Sequence, residues 1–386
     1  MQRRYAIIPL LVVALCAAAL SQGVRVIVQN PGVVEYPAET IVLKWKDLRK
    51  QVASLNPSEV AVFEQDSALV SQSVDLDLDG TMDELVFQFS FAPRESKTFA
   101  IRRLPGQKLL PSRVDVQFVL PRADVAWENE RIAFRVYGSA LAGDVRNGID
   151  VWTKRVRYLV VEKWYQESEA AKGGKDSYHE DRGEGADFFS VGKSLGAGSC
   201  GIWYNGAVCQ PGVFSSHRII AAGPIRAMFE VTYDSLVVGR KVMRERKTVT
   251  LDAGHSLNRV DVVYTGFPAR DTVPVVAGLV KRKNTRSSSD EQHGWISLWG
   301  LTTDDTTNGY LGTGVVIPLA LFRGVREDKD HHLISGFALN NRPVTYYAGA
   351  GWTRSGEFAT VEDWNDYLKA WALRLASPLI ITIRKE

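Results

Sequence analysis

Long stretches of this chain place an apolar side chain at every second position. Ile225, Ala227, Phe229, Val231 and Tyr233 do so, as do Val114, Val116, Phe118 and Leu120, then Ile132, Phe134 and Val136, and earlier Leu85, Phe87, Phe89 and Phe91. A period of two sends alternate side chains to opposite faces of a strand, whereas a helix would scatter them around its axis. Spread over much of the 386 residues, the pattern predicts an all-β chain built of large antiparallel sheets packed face to face. Helical spacing is convincing only near the end, where Trp364, Leu368, Trp371 and Leu375 recur three and four apart behind Thr360, a fitting N-cap. A short helix is expected over 46–54 and a last strand over 379–383, while the serine-rich, charged stretch 282–292 reads as a mobile loop.

Arg3 and Arg4, the apolar run 6–20 and the small Ala19 and Ser21 read together as a secretory signal peptide over 1–21. That run is too short to span a bilayer comfortably, and Leu15 stands where lipidation of Cys16 would want a small residue. The protein is therefore expected to be secreted or periplasmic, with no membrane association once the leader is cut. The proline- and glycine-bearing connection 104–112 divides the remainder into a small N-terminal β-sandwich, 22–110, and a larger β-domain, 111–386. Of 47 Lys and Arg, two lie in the leader, so 45 face 44 Asp and Glu; a nucleic-acid partner would need a concentrated basic face that this balance does not supply. Cys200 and Cys209 remain after cleavage. In an oxidising compartment they are expected to close a disulfide, and two cysteines at that spacing make no zinc set. Nothing in the sequence sets the oligomeric state.

Three stretches carry chemistry. Asp75, Asp77, Asp79 and Asp83, around Gly80, alternate as oxygen ligands of a hard cation do, with a glycine for the bend. Val86 stands where an EF-hand would have its bidentate glutamate, so the expectation is a structural calcium ion or, without one, an acidic hairpin turn. The second stretch, 126–165, interleaves aromatics and cations. Read as a strand, 151–158 puts Trp152, Lys154, Val156 and Tyr158 on one face and Val151, Thr153, Arg155 and Arg157 on the other, a setting for a sugar ring bearing a carboxylate or for an exposed face laced with salt bridges. Trp127, Trp164, Tyr165 and Trp203 are further candidate platforms for sugar faces. The third, 176–189, gathers Tyr178, His179, Glu180, Asp181, Glu184 and Asp187 between glycines. A loop of this kind places a near-neutral imidazole beside a phenol and carboxylates, which are the groups of proton transfer. Tyr347 and Trp352, in the glycine-rich 346–356, are candidates for a further wall.

The motifs GIDVWTKRVRY, KWY, SYHEDRGEGADFF followed by VGKSLGAGSCGIW, and YYAGAGWTRSG together resemble a family of secreted bacterial proteins catalogued as a domain of unknown function, DUF4861. The resemblance covers nearly the whole mature chain. It implies a galactose-mutarotase-like β-supersandwich following the N-terminal sandwich, and a setting among polysaccharide-degradation genes. It implies no assigned reaction.

The reading that joins these features is a carbohydrate-active enzyme on uronate-containing oligosaccharides, a lyase or dehydratase that needs no cofactor. In β-elimination a cation neutralises the carboxylate, a base takes the adjacent proton and an acid serves the leaving oxygen. Arg155, Arg157 or Lys154 are candidates for the first role, His179 and Tyr178 for the others. A glycoside hydrolase using two carboxylates from Glu128, Glu184 and Asp187 is the enzymatic alternative, and a non-catalytic glycan-binding protein using the tryptophans is the other.

Overall fold

A computed structural model describes residues 23–106, 111–171 and 177–386. The expected leader 1–21 and the start of the loop at Asp176 lie outside the described residues. The alternating runs form strands throughout. Near the N-terminus a five-stranded sheet, in the order Ile380–Lys385, Val24–Gln29, Ser96–Arg103, Val60–Glu64 and Ser67–Leu69, packs on a three-stranded one of Tyr36–Lys44, Glu84–Phe91 and Ser71–Val74. Val26, Ile41, Leu85, Phe87, Phe91 and Phe99 fill the space between them. One of these strands comes from the far end of the chain: Ile380–Lys385 pairs antiparallel with Val24–Gln29. A cut at residue 110 thus separates the first sandwich from an edge strand of its own sheet.

The larger unit contains three sheets around one apolar core. Five strands, Ala207–Cys209, Ala197–Tyr204, Thr272–Val280, His331–Leu339 and Val325–Glu327, face eight, which run from Ser216–Ala222 at one edge to Arg286–Asp290 at the other. A third sheet orders Gly185–Ala186, Asp150–Lys154, Ile132–Val136, Asp124–Asn129 and Val114–Val119. Phe229, Val231, Val260, Val275, Ile296, Ile334 and Trp127 belong to the shared core, and the architecture is an all-β supersandwich with a C-terminal helix. The stretch read as a mobile loop contains the edge strand Arg286–Asp290, paired with Trp295–Leu301.

Helix α1 (Trp45–Gln51) sits on the small sandwich and α3 (Val361–Ala376) on the large sheet. Thr360 and Asp363 cap α3 reciprocally, satisfying amides that would otherwise lack partners at a helix start. Trp364 and Leu368 lie so close to the sheet that a Cβ on Gly312 or Gly314 would meet them at 2.7 Å; the glycines let the helix approach.

The sequence pattern leaves two features unannounced. Val86, on the face opposite Phe87, packs with Ile225 and Ala221 of the large unit, while Gln88 donates to the Ala253 carbonyl at 2.7 Å. At this junction Arg226 forms a two-pronged pair with Asp252, at 2.7 and 2.8 Å, and buried His255 lies 3.2 Å from the Ala38 carbonyl. The other feature is α2 (Val161–Ala170), which covers the Trp152 side of the third sheet. No side chain of its own start caps it. The Glu128 carboxylate does so instead, accepting from the Val160 amide at 2.8 Å and the Val161 amide at 2.7 Å, and from Lys154 Nζ at 2.5 Å.

The expected disulfide does not form. Register places Cys209 opposite Ile202, two residues along the strand from Cys200, and two residues span roughly 6.6 Å of strand. Cys200 is buried in the core, accepting from Tyr264 Oη at 3.3 Å, and both cysteines are free thiols.

Two predictions follow from these buried polar groups. Removing one member of an enclosed ion pair strands the other, so Glu128→Ala should cost about 3–5 kcal/mol in urea unfolding, whereas Glu128→Leu combined with Lys154→Met should cost less than either single change. Burial holds His255 down to about 4, so below about 6.5 the unfolded chain takes up a proton that the folded chain refuses. Stability should therefore fall between about pH 6.5 and 4, by up to about 3 kcal/mol. Unfolding compared at neutral and mildly acidic pH should show a smaller loss for His255→Gln than for the natural chain.

Candidate functional site

The loop that follows α2 is held onto the edge of the third sheet by its own sequence. Gly185 and Ala186 pair with Lys154 and Thr153, and Gly185 has φ 112° with the Thr153 carbonyl oxygen 2.0 Å from where a Cβ would lie. Only glycine fits there. Asp181 accepts from the amides of Gly183 and Gly185 at 2.8 and 3.1 Å and pairs with the Arg155 guanidinium. The Asp187 amide closes the loop on the Tyr178 carbonyl at 2.7 Å.

Beneath the loop lies a charge centre that sequence reasoning missed. Arg135 is buried, and its guanidinium reaches Asp150 Oδ2 at 2.7 Å, Asp187 Oδ2 at 3.0 Å and Tyr137 Oη at 3.3 Å. An arginine inside the otherwise apolar IAFRV, on the strand that pairs with GIDVW, was the available signal. On this base stand the two expected proton-transfer groups, in very different environments. Tyr178 is buried, stacked on Trp152 with centroids 4.9 Å apart, and burial raises its pKa against the pull of Arg135. His179 is 45 % exposed and turns Nδ1 toward Asp187, 3.0 Å from its carbonyl and 3.6 Å from Oδ2.

The cations separate as sharply. The strand ends at Lys154, whose side chain points inward to Glu128 and is fully buried; both side chains are closed off from solvent. Arg155 remains beside the loop, its guanidinium 5.5 Å from the Trp352 ring centre. Arg157, half exposed, pairs at 2.5 Å with Glu357, which also holds Arg131 at 2.7 Å. Glu184 is occupied: against the upward push of burial, bonds from Lys163, Tyr158 and Trp164 bring it down to about 2. A carboxyl so stabilised as an anion is no general acid near neutrality.

The expected aromatic groove is not one groove. Trp127, Trp152, Trp164, Tyr165 and Trp352 are all buried. Trp127 belongs to the main core, and Trp152, Trp164 and Tyr165 form a cluster beneath α2. Trp203 lies on the five-stranded sheet. Tyr347 lines a cavity of about 130 Å³ between the two units, with Trp371, Arg226 and His255; no motif pointed to His255 there.

In the aspartate hairpin, Asp75, Asp77 and Asp83 bring oxygens within 4.8 Å of one another. Asp79 is not in that group; it accepts from the Thr81 amide. Asp75 receives the amides of Leu78 at 2.8 Å and Gly80 at 2.7 Å, with Gly80 at φ 90°. Three carboxylates on a tight turn form an all-oxygen donor set of the kind that suits a hard cation.

Comparison with known proteins bears on the whole chain. The family described as "Domain of unknown function (DUF4861)" matches residues 28–381. "Uncharacterized protein P7" of Formosa agariphila is 31% identical over 392 residues, covering 96% of this chain and 95% of that protein. Among solved structures, an alpha-mannosidase from Enterococcus faecalis V583 is similar with a TM-score of 0.45 and 10% identity, over 94% of this chain and 46% of that one. A protein in the glycosyl hydrolase family 38, also from Enterococcus faecalis, has a TM-score of 0.47 and 10% identity, over 94% and 47%. The chain thus spans about half the length of these two structures. With a family match from residue 28 to 381 and a full-length relative, the chain belongs to the DUF4861 family.

Proposed function

We propose that this protein is a carbohydrate-active enzyme that cleaves uronate-containing oligosaccharides by β-elimination at the loop carrying His179. The observation that carries the reading is the half-exposed imidazole turned toward a buried carboxylate, on the same loop whose Asp181 holds Arg155. In this reading Arg155 and Arg157 offset the charge of the substrate carboxylate, which makes the adjacent C–H acidic. His179 takes that proton, the electron pair forms the new C=C bond, and the C–O bond to the leaving sugar breaks. With Tyr178 buried, the protonated imidazole returns the proton to the leaving oxygen, one group acting in turn as base and acid. Asp187 orients the ring through Nδ1.

The carboxylate-pair alternative has less support, because Glu128 is enclosed with Lys154, Asp187 is paired with Arg135 and Glu184 already accepts three bonds. The glycan-binder alternative loses Trp152 and Trp164, both in a core. For the aspartate hairpin we propose a structural calcium ion held by Asp75, Asp77 and Asp83, fixing the turn that leads into strand Glu84–Phe91.

Incubation with a panel of uronate oligosaccharides should yield products that absorb in the ultraviolet and that lack added water by mass. His179→Ala should lower kcat on the order of 10²-fold or more, Tyr178→Phe should retain most activity, and Glu184→Gln should keep turnover. Full activity in His179→Ala, or saturated products alone, would overturn the assignment. Calcium should raise the unfolding temperature of the natural chain, by an amount equivalent to about 2.7 kcal/mol at a hundredfold excess over Kd, and Asp75→Asn should abolish that rise.

A further inference from the structure

We infer that the outer face of the five-stranded sheet is a second, non-catalytic site, one that binds a polysaccharide through its carboxylate or sulfate groups using Arg323 and Arg326. These residues lie on the side of the sheet opposite the core residues Val275 and Ile334, around a depression of about 380 Å³ shared with Thr272, Pro274, Ser335 and Phe337. Among the described residues, no acidic side chain lines it.

Three observations converge on an anionic ligand. First, among the described residues neither arginine has a carboxylate partner, although nearby Lys281 and His332 both meet Glu327, at 3.0 and 3.1 Å. Second, each guanidinium lies over an aromatic ring, Arg323 4.4 Å from the Phe337 centre and Arg326 5.7 Å from that of Trp203. Stacking of this kind fixes the plane of the fork while leaving its edges available for bidentate pairing. Third, the internal hydrogen bonds use only part of each fork. Arg323 donates from Nη1 to the carbonyls of Phe322 and Ala320, at 2.6 and 3.3 Å, and Arg326 donates from Nε to Ser335 Oγ at 3.0 Å. A guanidinium carries five N–H donors, so among the described residues Nη2 of each arginine is left without a protein acceptor.

The setting selects the ligand class. Pro274 pairs with Phe337 across adjacent strands, making a strip with the exposed Thr272 nearby. Two cations on such a strip suit spaced single charges on a hydroxyl-rich chain. Nucleic acid would call for a wider basic field, and the full chain carries a formal net charge of only +3. The site stands on a different sheet from the His179 loop and needs no turnover there.

Native gels containing alginate, carrageenan or neutral dextran test the inference, with full-length protein in a His179→Ala background so that cleavage does not intrude. Alginate offers only carboxylates and carrageenan only sulfate esters, so their comparison identifies which anion is read. Retardation by at least one of them, none by dextran, and a loss of about tenfold or more in apparent affinity in Arg323→Gln/Arg326→Gln is expected; Arg323→Lys/Arg326→Lys, which keeps the charge but not the fork, should fall between. No retardation by either polyanion, unchanged retardation in the glutamine variant, or equal binding of a DNA oligomer would overturn it. Since the background already lacks His179, failure here leaves the catalytic reading standing, and loss of turnover in His179→Ala alone leaves this one standing.

Discussion

Glu128 and Lys154 are charges enclosed within the protein, and much of the molecule's shape near the candidate site follows from how they are satisfied. Burial pushes the Glu128 carboxyl up and the Lys154 ammonium down, and each charge opposes the shift of the other. Desolvating both is costly unless every donor and acceptor finds a partner. The carboxylate finds the amides that start α2, and the ammonium also reaches the Asn129 carbonyl at 2.7 Å. Helix α2 is thereby pinned over Trp152, and Trp164 and Tyr165 bury their rings against that tryptophan at 5.7 and 5.1 Å. Past the helix, Tyr178 stacks on the same Trp152.

That stacking separates groups that share a short stretch of sequence. Tyr178 and His179 are neighbours in the chain, yet one ring is stacked inside and the other stands half exposed against Asp187. Arg135 links the two levels, since one guanidinium meets Asp150 in the sheet and Asp187 in the loop. A residue acting behind His179 is therefore anchored twice, through a carboxylate and through the strand that carries Arg135. The same logic removes Glu184 from general acid work, because the donors that steady it come from α2 and from the turn before it. In the reading proposed above, chemistry at this edge would fall to the one imidazole and to Arg155 and Arg157, which follow the C-terminal end of the strand.

Alternation proved a sound guide to strands and a poor guide to what covers them. Phe87 and Phe91 do face a core, but the opposite face of their strand is also covered, by the second unit, and Val86 and Gln88 are part of that contact. Trp152 and Lys154 do share a face, as their spacing requires. The expected groove on that face is filled by α2, which carries no capping residue of its own because its cap comes from Glu128, 32 residues away. The C-terminal helix was legible for the opposite reason: Thr360 and Asp363 supply its cap locally. His255 and Arg135 carry no motif at all, and their character comes from burial beside partners remote in sequence.

Local sequence, then, determined what short-range physics can determine: the alternating strands, the capped terminal helix, the aspartate turn around Gly80, and a glycine-bearing loop rich in titratable groups. The tertiary structure alone decided which side chains meet water. Two residues on one strand face differ in nothing local, and only a helix packed over that face makes Trp152 a core residue. Likewise, register two residues out of step kept Cys200 and Cys209 apart. Solvent access, ion-pair partners and pKa are properties of what lies across a sheet, and contacts so distant along the chain leave no periodic trace in it.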